Sequence, residues 1–399
     1  MFWQICQKLA FHLFHQEVFM QYRKFGRQEW NVSEIGLGCE HLQGKSTDTV
    51  VEVVNTAIDA GINILDCFMS EPGIRSDLGI ALQTRRRKML IQGHLRSVWK
   101  NGQYGRTMDP DAVKESFEDL LTRLQTDYID FGMIHMVDSE KDFHEIFDGP
   151  IIRYALNLKS QGVIRCLGIS SHNSSVARLA AESGLIDCMM ISANPSYDML
   201  HPSRMKLSPS QEDLDCIQGM DSERARLYQL CENQGIAITT MKTFGAGRLL
   251  NPTLSPFRKP MTDYQCIHYV LDRPAVVSAM IGMKTAEEVS RAAAYYSASD
   301  DEKDYTPILQ LSPNYTEAGV CVYCNHCLPC PAALNIAQIN KYLDLVPMGG
   351  PVPPTVQAHY ENLSHTATEC LQCGACEQAC PFNVQIRRRM SDAAILFGQ

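Results

Sequence analysis

Two tight runs of cysteine constrain this chain more than any other feature of its sequence. The first reads Cys321-Val-Tyr-Cys324-Asn-His-Cys327-Leu-Pro-Cys330-Pro331, and the second reads Cys370-Leu-Gln-Cys373-Gly-Ala-Cys376-Glu-Gln-Ala-Cys380-Pro381. A Cys-x2-Cys-x2-Cys segment wraps three thiolates around one cubane, and the proline after the fourth cysteine turns the chain so that its thiolate faces elsewhere. The pattern predicts two [4Fe-4S] clusters. A pair of structural zinc sites is the other reading, since all-cysteine zinc sites also use Cys-x2-Cys. Four cysteines per run, each run closing on Cys-Pro, favour iron and sulfur.

The second run resembles that of bacterial ferredoxins, and the first is one residue short before its last cysteine. In two-cluster ferredoxins the fourth cysteine of each run ligates the other cluster. The resemblance therefore pairs Cys321, Cys324 and Cys327 with Cys380, and Cys370, Cys373 and Cys376 with Cys330. The chain holds 16 cysteines in all. The rest (Cys6, Cys39, Cys67, Cys166, Cys188, Cys216, Cys231 and Cys266) are scattered beside apolar runs and read as reduced thiols, which predicts a reducing, cytoplasmic setting. A net charge of −9 argues against a nucleic-acid partner. The basic runs Arg85–Lys88 and Arg387–Arg389 are short enough to be solvated faces. No run of 18 apolar residues exists, so no membrane span is expected. Residues 1–19 are broken by Gln4, Gln7, Lys8, His12 and His15 and lack a signal-peptide pattern. They read as an extension, dispensable or amphipathic, before a strand-like MQYRKFG that itself begins with a methionine.

From about residue 20 to 300, short apolar runs alternate with longer amphipathic ones. Strands are predicted at 35–37, 64–66, 89–91, 129–135, 166–169, 188–191, 236–239 and 278–281. Helices are predicted at 47–60, 111–124, 151–161, 174–183, 221–234 and 286–296. Gly61, Gly162, Gly184 and Gly235 mark helix ends, and Ser174 and Thr285 are candidate N-caps. Eight βα units over this length predict a (β/α)8 TIM barrel. A doubly wound sheet is disfavoured because no Gly-x-Gly-x-x-Gly follows the first strand. Residues 301–399 then form a small α-rich ferredoxin-like iron–sulfur domain, with a helix at 335–345 and an ordered connection, VPMGGPVPP, between its halves.

The segments MQYRKFG, VSEIGLGCEHL, ILD66, TDYIDFGMIH135, VIRCLGISSHN and MIGMKTAEEV together resemble the aldo-keto reductases over about residues 20–300. With the cysteine tail, the chain resembles the iron–sulfur branch of that family. The resemblance implies a barrel that binds NADP(H) or NAD(H) at the C-terminal ends of its strands. It also implies an Asp, Tyr, Lys and His set, with the tyrosine as general acid. Asp66 and His135 match the aspartate and histidine. Counting from Leu78-Gly79 puts Glu71 in the tyrosine position, and His94 stands for the lysine. For the nicotinamide amide the resemblance points to Ser170, Ser171 and Asn194, with Ser171 in place of the usual Asn. Met241 replaces the stacking tyrosine, beside Lys242. Gly245 and Gly247 in one loop, and Gly282 and Lys284 in another, correspond to the phosphate loops. Ala292 replaces an adenine-contacting Asn.

Three readings of the altered set stay open. Glu71 or His94 donates the proton, tuned by burial. Alternatively Asp66, Glu71, His94 and His135, with His172, hold an additional divalent metal such as Zn2+, Fe2+ or Mn2+. Or the site is inactive and the barrel serves an electron-transfer or redox-sensing protein. The leading expectation is an oxidoreductase acting on a small carbonyl or polyol, with a redox partner protein for the clusters, because nicotinamide moves electrons in pairs and each cluster moves one.

Overall fold

The computed structural model describes residues 20–199, 221–255, 257, 259–309, 319, 321, 325–344, 346, 352 and 354–398. The N-terminal extension, Cys6, Cys216, Cys324 and most of the VPMGGPVPP connection lie outside the described residues.

In chain order the strands are β1 (Tyr22–Lys24), β2 (Asn31–Ser33), β3 (Ile35–Gly38), β4 (Ile64–Cys67), β5 (Leu90–Leu95), β6 (Ser97–Lys100), β7 (Gln103–Arg106), β8 (Ile129–Ile134), β9 (Ile164–Ser171), β10 (Cys188–Ser192), β11 (Ala237–Met241) and β12 (Val276–Gly282). Eight of them close a parallel barrel in the order β3-β4-β5-β8-β9-β10-β11-β12. These are the eight strands expected from the apolar runs. Their sequences are near-continuous in apolar residues because both faces are covered, and every residue of β8, Ile-Asp-Phe-Gly-Met-Ile, is buried.

The helices pack outside. Thr47–Asp59 buries Val50, Val53, Val54, Ala57 and Ile58, a spacing that puts them on one face. Thr285 caps its helix as expected, accepting from the Glu288 backbone N–H. At the helix Ser174–Glu182 the cap is Asn173 rather than Ser174, because the Asn carboxamide reaches both Ser175 N and Val176 N. Gly235 ends the helix Ser222–Gln234 at φ +63°, which glycine adopts without strain. The antiparallel hairpin β1–β2 plugs the end of the barrel where the strands begin. There Phe25 stacks on Phe131 at 4.2 Å between ring centroids, among Val32, Ile64 and Ala237.

The Leu78-Gly79 pair has a packing role. A Cβ on Gly79 would sit 2.1 Å from the carbonyl oxygen of Arg123, so the helices Pro72–Leu82 and Pro110–Arg123 meet there backbone to backbone. Gly79→Ala is expected to push them apart at a cost of about 1–3 kcal/mol. A thermal melt checks this, and an unchanged midpoint would contradict it.

A second apolar core gathers Leu334, Ile336, Ile339, Tyr360, Phe382, Ile386, Met390 and Phe397 from the helices Ile336–Asp344, Pro354–Glu361 and Ile386–Phe397 and the turns beside them, and Tyr197 of the barrel side packs into it. The barrel side runs past residue 300, since Ile308 packs with Leu249, Phe257, Met261 and Cys266. No helix among the described residues is long and apolar enough to cross a membrane.

Candidate active site

Parallel register delivers neighbouring strand ends to one mouth. In β4 and β5 Asp66 pairs with Gln92, and in β5 and β8 His94 pairs with Met133, two residues before His135. Asp66, His94 and His135 are all buried there, at 3%, 2% and 3% exposure. His94 Nε2 lies 2.9 Å from Asp66 Oδ1, and His94 Nδ1 lies 2.8 Å from His135 Nδ1. Gln92 Nε2 donates to Asp66 Oδ1 at 2.9 Å, and the Thr239 hydroxyl donates to Gln92 Oε1 at 2.8 Å, which fixes the amide's orientation. Phe68 stacks on the His135 ring at 5.4 Å.

His135 Nε2 faces Tyr104, whose hydroxyl lies 2.5 Å away. Tyr104 is on the antiparallel hairpin β6–β7, which folds over the mouth immediately after β5. Counting along the chain missed this residue because the hairpin interrupts the βα alternation. The signal for it was Asn101-Gly102, the dipeptide suited to a two-residue turn; both residues have positive φ, 54° and 75°.

Burial, aided by His94 and by the guanidiniums of Arg106 and Arg96, holds His135 well below the ordinary imidazole value. The folded ring is neutral, whereas the unfolded chain takes up a proton below about pH 6.5. Stability from this group is therefore complete above that pH and is lost as pH falls below it, by up to about 1.4 kcal/mol per pH unit. His135→Phe is expected to flatten the dependence. Urea unfolding at two pH values below neutrality checks this, and equal slopes in both proteins would contradict it.

The structure places Glu71 elsewhere. Its carboxylate caps the helix Pro72–Leu82, accepting from Gly73 N at 2.8 Å and Ile74 N at 2.7 Å. This corrects its expected role as proton donor: Glu71-Pro72 is a cap followed by an N1 proline. The five-residue metal set does not assemble either. Both nitrogens of His94 are engaged, one by Asp66 and one by His135. His172 turns instead to Asp138 and to His326 from between the cysteines of the first run, and those three could hold a metal among themselves.

The expected nicotinamide contacts divide. Ser170 Oγ accepts from Met136 N at 2.8 Å, and Ser171 Oγ donates to Val137 O at 2.6 Å. Asn194 donates to Lys242 O and accepts from Ser196 N and Tyr197 N, so its amide caps the next helix. Met241 ends β11, half-buried. Gly282 lets the His41 ring approach, since a Cβ would meet its Cδ2 at 2.4 Å. Gly245 and Gly247 both have positive φ, 56° and 85°. Burial and the ammoniums of Lys284, Lys242 and Lys341 lower His41, against Glu40. The serine and asparagine side chains are spent on the backbone.

The second core surrounds two recesses. One is lined by Cys330, Cys370, Cys373 and Cys376, with Cys327 also on its wall. The other is lined by Cys321, Cys327 and Cys380. Each recess collects cysteines from both runs, and thiolates so gathered fit an iron–sulfur cubane.

A closed parallel barrel with a polar cluster at the C-terminal strand ends defines the class of barrel enzymes in which that face carries the chemistry. The Aldo/keto reductase family profile matches residues 34–265, and the chain belongs to that family. The uncharacterized oxidoreductase YqkF of Bacillus subtilis is 33% identical over 176 residues, 43% of this chain and 56% of its own length. The aldo-keto reductase YhdN of the same organism is 29% identical over 161 residues, 38% of this chain and 47% of its own length. The chain thus spans about half the length of these two relatives. The 6-dehydroglucose reductase of Novosphingobium aromaticivorans is 24% identical over 69% of this chain and 81% of its own length. Among solved structures, the aldo-keto reductase AKR11C1 of Bacillus halodurans superposes with a TM-score of 0.59 at 21% identity, covering 75% of this chain and 98% of its own. The family match ends before the cysteine runs.

Proposed function

We propose that the protein is an iron–sulfur oxidoreductase of aldo-keto reductase type that interconverts a small polyol and its carbonyl compound with NAD(P)(H). The observation that carries this reading is the buried line of Asp66, His94 and His135 at the strand ends of a family barrel. A nicotinamide, when bound, exchanges hydride with the substrate carbon; Lys242 and Lys284 would meet its phosphates. The relative named 6-dehydroglucose reductase supports an oxygen-rich substrate. Residues 20–309 form the barrel unit on this reading, and the cysteine-rich residues that follow form the ferredoxin-like unit.

The two recesses support two [4Fe-4S] clusters, one on Cys370, Cys373, Cys376 and Cys330 and the other on Cys321, Cys327 and Cys380, to which the spacing of the first run adds Cys324. Each cluster moves one electron, so the clusters serve a redox partner or hold their domain together; they do not take the hydride. An anaerobic preparation should contain about eight irons and eight sulfides per chain. It should also transfer hydride between NAD(P)(H) and members of a panel of polyols, aldehydes and sugars. Intact clusters with neither turnover nor nicotinamide binding would sink the enzyme reading.

A further inference from the structure

We infer that Tyr104, brought to the barrel mouth by the β6–β7 hairpin, is the acid–base residue of this site, exchanging its proton with Asp66 through His135 and His94. The inference rests on the proposed hydride-transfer reading and supplies the phenol that the altered catalytic set lacks. No family motif marks Tyr104; its place follows from the hairpin and from the 2.5 Å contact with His135 Nε2.

The hydrogen bonds give the line a direction. An ionised Asp66 only accepts, and its Oδ1 is met by the Gln92 amide, whose orientation Thr239 fixes. His94 must then donate from Nε2, which leaves its Nδ1 as the acceptor for His135 Nδ1–H. A neutral His135 with its proton on Nδ1 presents a lone pair at Nε2, so the Tyr104 hydroxyl donates to it. Every proton in the line points toward Asp66. A purely space-filling contact would account for one buried His pair. It gives no reason for a polarised line that starts in the core and ends on a half-buried phenol at the mouth, where each extra buried polar group must be satisfied.

The phenol is also held in place. Arg96 donates to His135 O at 2.7 Å and to Thr107 O at 3.1 Å, and Ser97 Oγ donates to Phe68 O at 2.6 Å. Phe68 in turn stands edge-on to the Tyr104 ring, 6.0 Å between centroids. The hairpin stem and the histidine therefore share their supports, the preorganisation that proton transfer needs.

With this polarity the resting line is set to receive a proton, so alcohol oxidation is the direction it starts in, and a polyol is the substrate class. As hydride leaves the carbinol carbon for oxidised nicotinamide, the substrate hydroxyl proton passes to Tyr104 Oη. The tyrosine's own proton moves to His135 Nε2, the His135 Nδ1 proton moves to His94 Nδ1, and the His94 Nε2 proton moves to Asp66. The products are the carbonyl compound, reduced nicotinamide and a neutral Asp66 carboxyl. Charge balances, because the nicotinamide cation and the carboxylate are neutralised together. Carbonyl reduction is the same path reversed.

The test uses the anaerobically isolated, cluster-containing protein in single turnover with NAD(P)+ and a polyol panel. Tyr104→Phe should slow hydride transfer at least about 100-fold while the Kd for NADPH, read by fluorescence, stays within a factor of about two. Asp66→Asn should slow it as well, and the double variant should be scarcely slower than the worse single one, since the residues act as one unit. A second readout needs no substrate. Isotope-edited infrared spectra of carbon-13 tyrosine, wild type minus Tyr104→Phe, should show the C–O band of a phenol that donates to a neutral base. Asp66→Asn should shift that band. A fully active Tyr104→Phe protein, or a C–O band of an accepting phenol that ignores Asp66→Asn, overturns the inference while hydride transfer by the wild type stands. A wild type that turns over nothing in the panel overturns the underlying reading, and the catalytic role with it.

Discussion

Cys376→Ser is expected to empty one cluster and to loosen the C-terminal unit while leaving the barrel folded. The apolar core of that unit is small, and Cys327, Cys330, Cys370 and Cys380 pack directly against it, with Cys376 inside it. A core of this size is marginal without a cross-link or a bound inorganic group. Under the proposed ligation Cys376 shares a recess with Cys330, which comes from the other cysteine run. Losing that cluster therefore removes one of the two ties between the halves of the unit and leaves the one through Cys380. The measurement is threefold: iron content near half, visible absorbance near 400 nm down by about half or more, and rapid proteolysis confined to the region after residue 309. The far-ultraviolet circular dichroism of the barrel should persist. Full iron content with unchanged protease resistance would show that Cys376 is not a ligand.

Asp198→Ala should destabilise the barrel by about 3–5 kcal/mol, the usual cost of stranding a buried charge. Asp198 is fully buried and is the meeting point of three helices. Its Oδ1 accepts from Arg224 Nε at 2.9 Å and Nη2 at 2.6 Å and from the Tyr228 hydroxyl at 3.0 Å; its Oδ2 accepts from the Tyr269 hydroxyl at 3.1 Å. Arg224, also buried, spends its remaining reach on Ser192 O at the end of β10. Removing the carboxylate leaves a guanidinium and two phenols without that acceptor. Burial, then Asp198, pushes both phenols above the ordinary tyrosine range in the intact node. Urea unfolding provides the measurement, with Asp198→Leu/Arg224→Met as the companion. The pair replacement should cost less than Asp198→Ala, because no lone charge remains. A loss below about 1 kcal/mol for Asp198→Ala would mean the node is open to water.

Much of this architecture was legible in residue order, for physical reasons that differ from place to place. All eight barrel strands could be read because parallel strands covered on both faces must be apolar throughout, as in Ile129–Ile134. Asp66 and His135 could be placed because a strand that ends on a charged or titratable residue delivers it to the barrel mouth. The helices Pro72–Leu82 and Asp263–Leu271 were missed. The first is short and holds Gly73 and Gly79, and the second lacks a polar face strong enough to set a period. Glu71 was misplaced for a local reason. Position along a motif does not show whether a carboxylate faces the mouth or turns back onto the next helix's N–H groups. The Tyr104 contact was out of reach for another reason: its partner is 31 residues away, and only the hairpin closing after β5 joins them. The association of His172 with His326 spans both units and has no trace in spacing at all.

The β6–β7 hairpin has two faces. Tyr104 looks inward to His135, while the next residue, Gly105, lies where a Cβ would come 3.5 Å from Pro329, and Arg106 donates to His326 O at 3.3 Å. One short ribbon thus touches both the proton line and the turn between two cysteines of the first run. The join between the two units is for this reason poor ground for domain shuffling. A barrel borrowed from a relative without the ribbon would bring strands and helices intact and still mismatch its new tail. Inheritance should accordingly keep the ribbon and the tail together, so that a sequence carrying one carries the other.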